Sequence, residues 1–186
     1  MITVLEQPEI RRRAMPISVR TYHWMQRQGL VAPRAELIRG VIVEKMSKSP
    51  KHTSLTRRIT RLLRQFAGSR YFVMKEDPLT LSDSEPEPDV AVVAGQEEDY
   101  DEQHPATALL AVEVSVSSES GDREMLSIYA GAGVAEVWLV LSAKQQVERY
   151  TSPIGGSYAE CRVFSAPETL TSAALPGFAL PLAELF

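Results

Sequence analysis

Pro86-Glu87-Pro88-Asp89-Val90-Ala91-Val92-Val93 has the form of a buried strand with a carboxylate at its mouth. Residues 89–94 run almost continuously apolar, as a strand covered on both faces does. Pro88 cannot donate a ladder hydrogen bond, so it belongs at the start of that strand. A second stretch, Ala111-Val112-Glu113-Val114-Ser115, reads the same way, with its carboxylate between two valines. A buried carboxylate without a partner is costly, so Glu113 should have one. With the two strands side by side, Asp89 and Glu113 converge at one edge of a sheet. Two hard oxygen donors so placed suit Mg²⁺ or Mn²⁺, which keep several waters.

The flanking chain supplies a frame for these strands. Residues 107–116 form the strand that carries Glu113. A polar loop follows, with Ser115, Ser117, Ser118, Glu119 and Ser120. Residues 122–132 predict a helix with Leu126, Tyr129 and Ala130 on one face, and 136–141 a further buried strand. Strand, helix and strand at this spacing make a right-handed crossover within one sheet. Residues 146–150 and 161–164 read as a hairpin with its turn near Gly155-Gly156, and the tail from Leu175 closes over an apolar surface.

Upstream, residues 71–76 predict a strand that Asp77-Pro78 interrupts and 79–81 continue. A long helix covers residues 52–67, with Leu55, Ile59, Leu62, Leu63 and Phe66 as its buried stripe and Gly68 as its C-cap. Arg57, Arg61 and Arg64 share another face, with Arg58 beside them; such a face is solvated and also suits a phosphate backbone. His52 stands at the helix start, as a cap-region residue or lining a site. Residues 35–46 form a hairpin turning at Arg39-Gly40. Glu36, near its start, is either a surface carboxylate or a third acid of the site. A helix over 18–28 starts at Ser18; His23, beside Trp24, reads as packing. Residues 1–15 form a mobile arm whose Arg11-Arg12-Arg13 is a solvated run or a phosphate-binding one. Residues 95–105 are an exposed acidic loop in which His104 is incidental.

The 186 residues predict a single domain over 16–186. Net charge is −4, which excludes a strongly basic nucleic-acid coat but not an acidic metal site beside a local basic face. Charge is uneven: arginines crowd residues 10–70 and carboxylates residues 76–124. No apolar run approaches the ~20 residues of a membrane span, and no segment near the start reads as a signal peptide. One cysteine, Cys161, allows no internal disulfide, and a cytoplasmic location is expected.

Six segments carry a resemblance: Glu36-Leu37-Ile38-Arg39-Gly40, Ser49-Pro50-Lys51-His52, Pro86-Glu87-Pro88-Asp89, Val112-Glu113-Val114-Ser115, the run from Tyr129 to Trp138, and Leu175-Pro176-Gly177-Phe178. Each is weak alone. In this order and spacing they resemble the Uma-type family of bacterial restriction endonucleases, within the PD-(D/E)XK nuclease superfamily. The resemblance implies an α/β fold with a restriction-endonuclease-like core, a mixed central sheet flanked by helices, and added N-terminal and C-terminal hairpins. It implies that Asp89 and Glu113 hold Mg²⁺ or Mn²⁺, that Glu36 lines the site, and that His52 belongs to it.

The chain departs from the pattern at its lysine. The superfamily places a lysine two residues after the glutamate, where this chain has Ser115. The family usually carries it on the following helix, four residues before the tyrosine, where this chain has Met125. Lys75 and Arg123 are the candidate substitutes, Lys75 if its side chain faces the carboxylates. The first reading is therefore a divalent-metal-dependent endonuclease that hydrolyses DNA phosphodiester bonds. The alternative, favoured by Met125, is a catalytically inactive nucleic-acid-binding or regulatory module. A third takes the acids as structural, and buried Glu113 opposes it. A homodimer would suit cutting both strands of a duplex.

Overall fold

The computed structural model describes residues 8–116 and 119–186. A short exposed helix, α1 (Pro8–Arg13), precedes α2 (Val19–Arg27). Ser18 caps α2 by accepting from the Thr21 N–H at 3.1 Å. β1 (Ala35–Ile38) and β2 (Val41–Glu44) form a hairpin whose turn residues, Arg39 and Gly40, both have positive φ. That is the two-residue turn whose twist suits a hairpin. Gly40 is required there, because a Cβ on it would run into Pro16. α3 (Pro50–Ala67) begins at Ser49, whose Oγ accepts from the His52 N–H at 3.2 Å. Its first residue is a proline, which fits a position whose N–H has no helical partner.

β3 (Tyr71–Met74), β4 (Val90–Ala94), β5 (Leu110–Ser115), β6 (Glu136–Leu141), β7 (Gln146–Ile154) and β8 (Ser157–Ser165) form one six-stranded sheet in chain order. Only β5 and β6 are parallel, joined through α4 (Glu119–Gly131). β9 (Thr169–Thr171), β10 (Ala179–Pro181) and α5 (Leu182–Leu185) complete the chain.

Strand alternation divides the core in two. Val90, Val92, Leu110, Val112, Val114, Trp138 and Val140 pack with Leu55, Ile59 and Leu63 of α3 and with the tail. Ala91, Val93, Ala111 and Val137 pack with Ile128 and Tyr129 of α4. Glu113 shares the parity of Ala111, so it lies on the α4 face. β4 and β5 are antiparallel, with Val90 opposite Val112 and Ala91 opposite Ala111. One step further along that register, Asp89 falls opposite Glu113.

The structure corrects several local expectations. α3 starts two residues before His52. β3 stops at Met74, and Glu76 adopts φ 57 in the left-handed region. Residues 79–81 alternate as a strand would but do not join the sheet. Their N–H groups bond loop carbonyls instead, Leu79 to Pro86 O, Thr80 to Pro105 O and Leu81 to Ser84 O, each at 2.9 Å. The acidic loop contains a 3₁₀ turn, Glu97–Tyr100, and the hairpin of β7 and β8 is longer than the pattern implies. Of the arm expected over 1–15, residues 8–13 are helical, and residues 1–7 lie outside the described residues. Ser117 and Ser118 of the polar loop lie outside them too, and Glu119 and Ser120 belong to α4. No described helix is long and apolar enough to cross a membrane.

Candidate active site

At the mouth of β4, Asp89 is 4% exposed. Its Oδ2 accepts the Val114 N–H at 2.8 Å, which ties the start of β4 to β5. His52 Nε2 reaches the same oxygen at 2.9 Å from the first turn of α3. Lys48 Nζ donates to Oδ1 at 2.7 Å. Burial alone would raise the Asp89 carboxyl, but the bonds from His52 and Lys48 outweigh it and hold it below its usual range. Asp89 is therefore an anion at neutral pH.

Glu113 behaves oppositely. Burial, and then the charge of Asp89, push its carboxyl well above the usual range, against the bond from Tyr129. That Tyr129 O–H donates to Oε1 at 2.5 Å. Two neighbouring carboxyls driven apart in this way mark a place where added positive charge is favourable. Glu36 Oε2 accepts the Glu87 N–H at 3.1 Å. The hairpin reaches this position because Glu85 N–H bonds Leu37 O at 2.6 Å. Burial raises Glu36 above its usual range, against the Glu87 N–H.

These groups border one cleft of about 330 Å³, which Asp89, Glu113, Glu36, His52, Tyr129 and Lys48 all line. Lys75 does not line it. Its Nζ lies 3.1 Å from Glu76 Oε1, and it borders a separate hollow on α3. Arg123 is committed to Glu148, at 2.5 and 2.7 Å, and to the Tyr150 hydroxyl at 2.8 Å. Met125 does line the cleft. Ser115 is buried, and its Oγ has no partner among the described residues. His23 does more than pack: its Nε2 lies 2.5 Å from Oε2 of buried Glu85.

The cation that reaches the carboxylates is Lys48, in the segment between β2 and α3, to which the sequence pattern assigns no role. It bridges Asp89 and, at 3.2 Å, Glu76 Oε1. Burial opposes its charge, yet Asp89 and Glu76 hold the ammonium above its usual value. The only signal for it was its place between two serines just ahead of the Ser49-Pro50-Lys51-His52 segment.

The sequence matches the Uma2 family, described as "Putative restriction endonuclease", over residues 23–183. The chain belongs to that family. A solved structure titled as a "putative nuclease belonging to DUF820" from Anabaena variabilis ATCC 29413 shares the fold, with a TM-score of 0.77 at 17% identity, over 92% of this chain and 98% of that one. No curated protein matches the chain. As in restriction-endonuclease-like folds generally, the question for this Uma2 member is whether its residues suit a divalent metal. Among the described residues no three His, Cys, Asp or Glu side chains form a ready cage. The donor set is two carboxylates, one anionic and one disfavoured as an anion by burial and then by its neighbour's charge. That set fits a hard cation that keeps most of its waters, such as Mg²⁺, and suits a caged Ca²⁺ or Zn²⁺ poorly.

Proposed function

We propose that the chain is a divalent-metal-dependent endonuclease acting on the phosphodiester backbone of DNA. One observation carries the reading: Asp89 and Glu113 face each other across neighbouring strands inside a single cleft that also holds a lysine. Asp89 and Glu113 would hold Mg²⁺ or Mn²⁺, which supplies charge neutralisation at the scissile phosphate and a lowered pKa for attacking water.

The remaining work falls to the chain. Val114 N–H and His52 fix Asp89 in the orientation its role demands. Tyr129 fixes Glu113. Glu36, set by the Glu87 N–H, lines the cleft and would accept protons from water there. Lys48 places a positive charge beside Asp89, where negative charge develops on the phosphoryl oxygens. It takes the part that Ser115 and Met125 cannot. Two copies, one cleft to each strand, would cut a duplex on both strands, and sedimentation measures whether the protein pairs.

Supercoiled plasmid incubated with the protein in Mg²⁺ or Mn²⁺ should be nicked, and Asp89→Ala should lower the rate at least 10²-fold. Nicking that survives Asp89→Ala removes the assignment.

Met125 on the cleft wall favours a second reading, a nucleic-acid-binding or regulatory module without catalysis. Met125→Lys separates the two. Cleavage that appears only in that variant favours the module; equal cleavage in both favours the enzyme.

A further inference from the structure

α3 carries two different surfaces. Its first turn faces the cleft through His52. Further along, Arg57, Thr60, Arg61, Arg64, Gln65 and Lys75 line a separate hollow of about 460 Å³. Four of the six are cations and none is a carboxylate. Arg57 and Arg61 have no hydrogen-bond or ion-pair partner among the described residues. Arg64 makes only a long bond, 3.4 Å, to Val73 O. Arg58 is not part of the hollow, because its Nη1 is turned to Leu185 O at 2.5 Å. In a chain of net charge −4, so many uncommitted guanidinium groups on one surface call for an anionic partner.

The hollow adjoins the cleft. Lys75 on its rim and Lys48 in the cleft both bond Glu76 Oε1, at 3.1 and 3.2 Å. Glu76 holds this bridging position from a left-handed backbone conformation, φ 57, which a non-glycine residue adopts at some cost. The cleft itself is a poor place to hold a phosphate backbone. Six carboxylates line it against Lys45 and Lys48, and both lysines are already paired, with Glu87 and with Asp89 and Glu76. Affinity for a polyanion has to come from beside it.

Spacing favours an extended ligand over a single phosphate. From Arg57 to Arg64 the helix rises about 10 Å. One strand of B-DNA carries a charge about every 3.4 Å of axis, so that rise spans about three phosphates. We propose that the Arg57–Arg61–Arg64–Lys75 hollow grips the phosphate backbone of one DNA strand adjacent to the nucleotide lying in the cleft. The proposal rests on the nuclease reading of the cleft, and it adds the surface that holds the substrate.

The test is binding of a fluorescent 30-base-pair duplex, and of its single strand, without metal across a salt series from about 50 to 200 mM. The native protein is compared with the double variant Arg57→Gln/Arg61→Gln, with Lys75→Gln, and with Arg58→Gln as a control on the same helix. The double variant should bind about 10²-fold more weakly near 50 mM salt, and its log–log salt slope should be shallower by about two. Lys75→Gln, whose ammonium Glu76 already pairs, should remove at most about one from the slope, and Arg58→Gln nothing. The double change removes exposed, unpartnered side chains, so a matched thermal melt is expected; should it not fold, Lys75→Gln and single Arg61→Gln carry the same slope test. A native slope and affinity in the folded variants overturns the proposal and leaves the nuclease reading standing if the native protein nicks plasmid. A native protein that binds neither DNA at 50 mM also overturns it, while the cleft is judged separately by the effect of Asp89→Ala on nicking.

Discussion

Two carboxyls a strand apart have opposite electrostatic situations, and the difference comes from their donors. Asp89 receives bonds from Lys48, His52 and a backbone N–H; Glu113 receives one phenol. Because folding raises the Glu113 carboxyl, the folded state takes up a proton there. Stability of the metal-free protein should therefore fall as pH rises from the unfolded value, about 4.3, toward the raised folded value. Glu113→Gln keeps the acceptor for Tyr129 and removes that dependence. Its melting temperature at pH 7 should exceed the native one, by about 2–4 °C for each kcal/mol restored, and the two should converge near pH 4. An unchanged melt at pH 7 would show that Glu113 carries no such burden. Lys48 invites a kinetic test. Lys48→Met should lower kcat on the order of 10²–10³-fold, Lys48→Arg should retain part of it, and Met125→Lys should restore activity to Lys48→Met. Asp89 and Glu113 were legible because one opens and the other interrupts an apolar run that has no other use for a charge. Lys48 was not, because a lysine in a serine-rich loop looks solvated until the loop is seen folded over the mouth of β4.

Among elements, the hairpin β1–β2 and the tail are held by a few specific contacts. Gly40 at φ 75 lies against Pro16, so Gly40→Ala meets both a conformational and a steric barrier. It should destabilise by more than about 1 kcal/mol in chemical denaturation and loosen Glu36, whose position depends on the hairpin. The turn was readable from Arg39-Gly40 alone, while the docking of Pro16 on it was not. Glu136 anchors the tail: its Oε2 accepts from Ser172 Oγ at 3.0 Å and from the N–H groups of Ala173 and Ala174 at 2.7 and 2.8 Å. Its Oε1 accepts the Trp138 indole N–H at 2.5 Å. Glu136→Ala leaves the buried Trp138 indole N–H and the part-buried tail donors without their acceptor and should cost about 3 kcal/mol. Hydrogen exchange at Ala173 and Ala174 should accelerate before exchange in β5; equal acceleration everywhere would assign Glu136 to the core rather than the tail. The sequence placed Glu136 at a strand start, but which backbone it meets depends on the return of the tail. The strand misread at 79–81 has a similar cause. Its alternation is real and buries Leu79 and Leu81, yet its N–H groups are satisfied by the loop carbonyls of Pro86, Pro105 and Ser84, which side-chain pattern does not reveal.

At the scale of the whole molecule, one helix borders both the acidic cleft and the basic hollow. α3 delivers His52 to the acidic cleft and its arginines to the neighbouring hollow, and the six-stranded sheet keeps Asp89 and Glu113 opposed. On the proposed reading, this opposed pair is a site for a divalent cation. Calorimetric titration of Mn²⁺ into the native protein, Asp89→Ala and Glu113→Ala tests it most directly. Saturable binding to the native protein that both substitutions abolish is expected, tighter at pH 8 than at pH 6 because burial and Asp89 favour a proton on Glu113 that the cation must displace. Saturable binding that survives both substitutions, or none to the native protein even with DNA present, would contradict it.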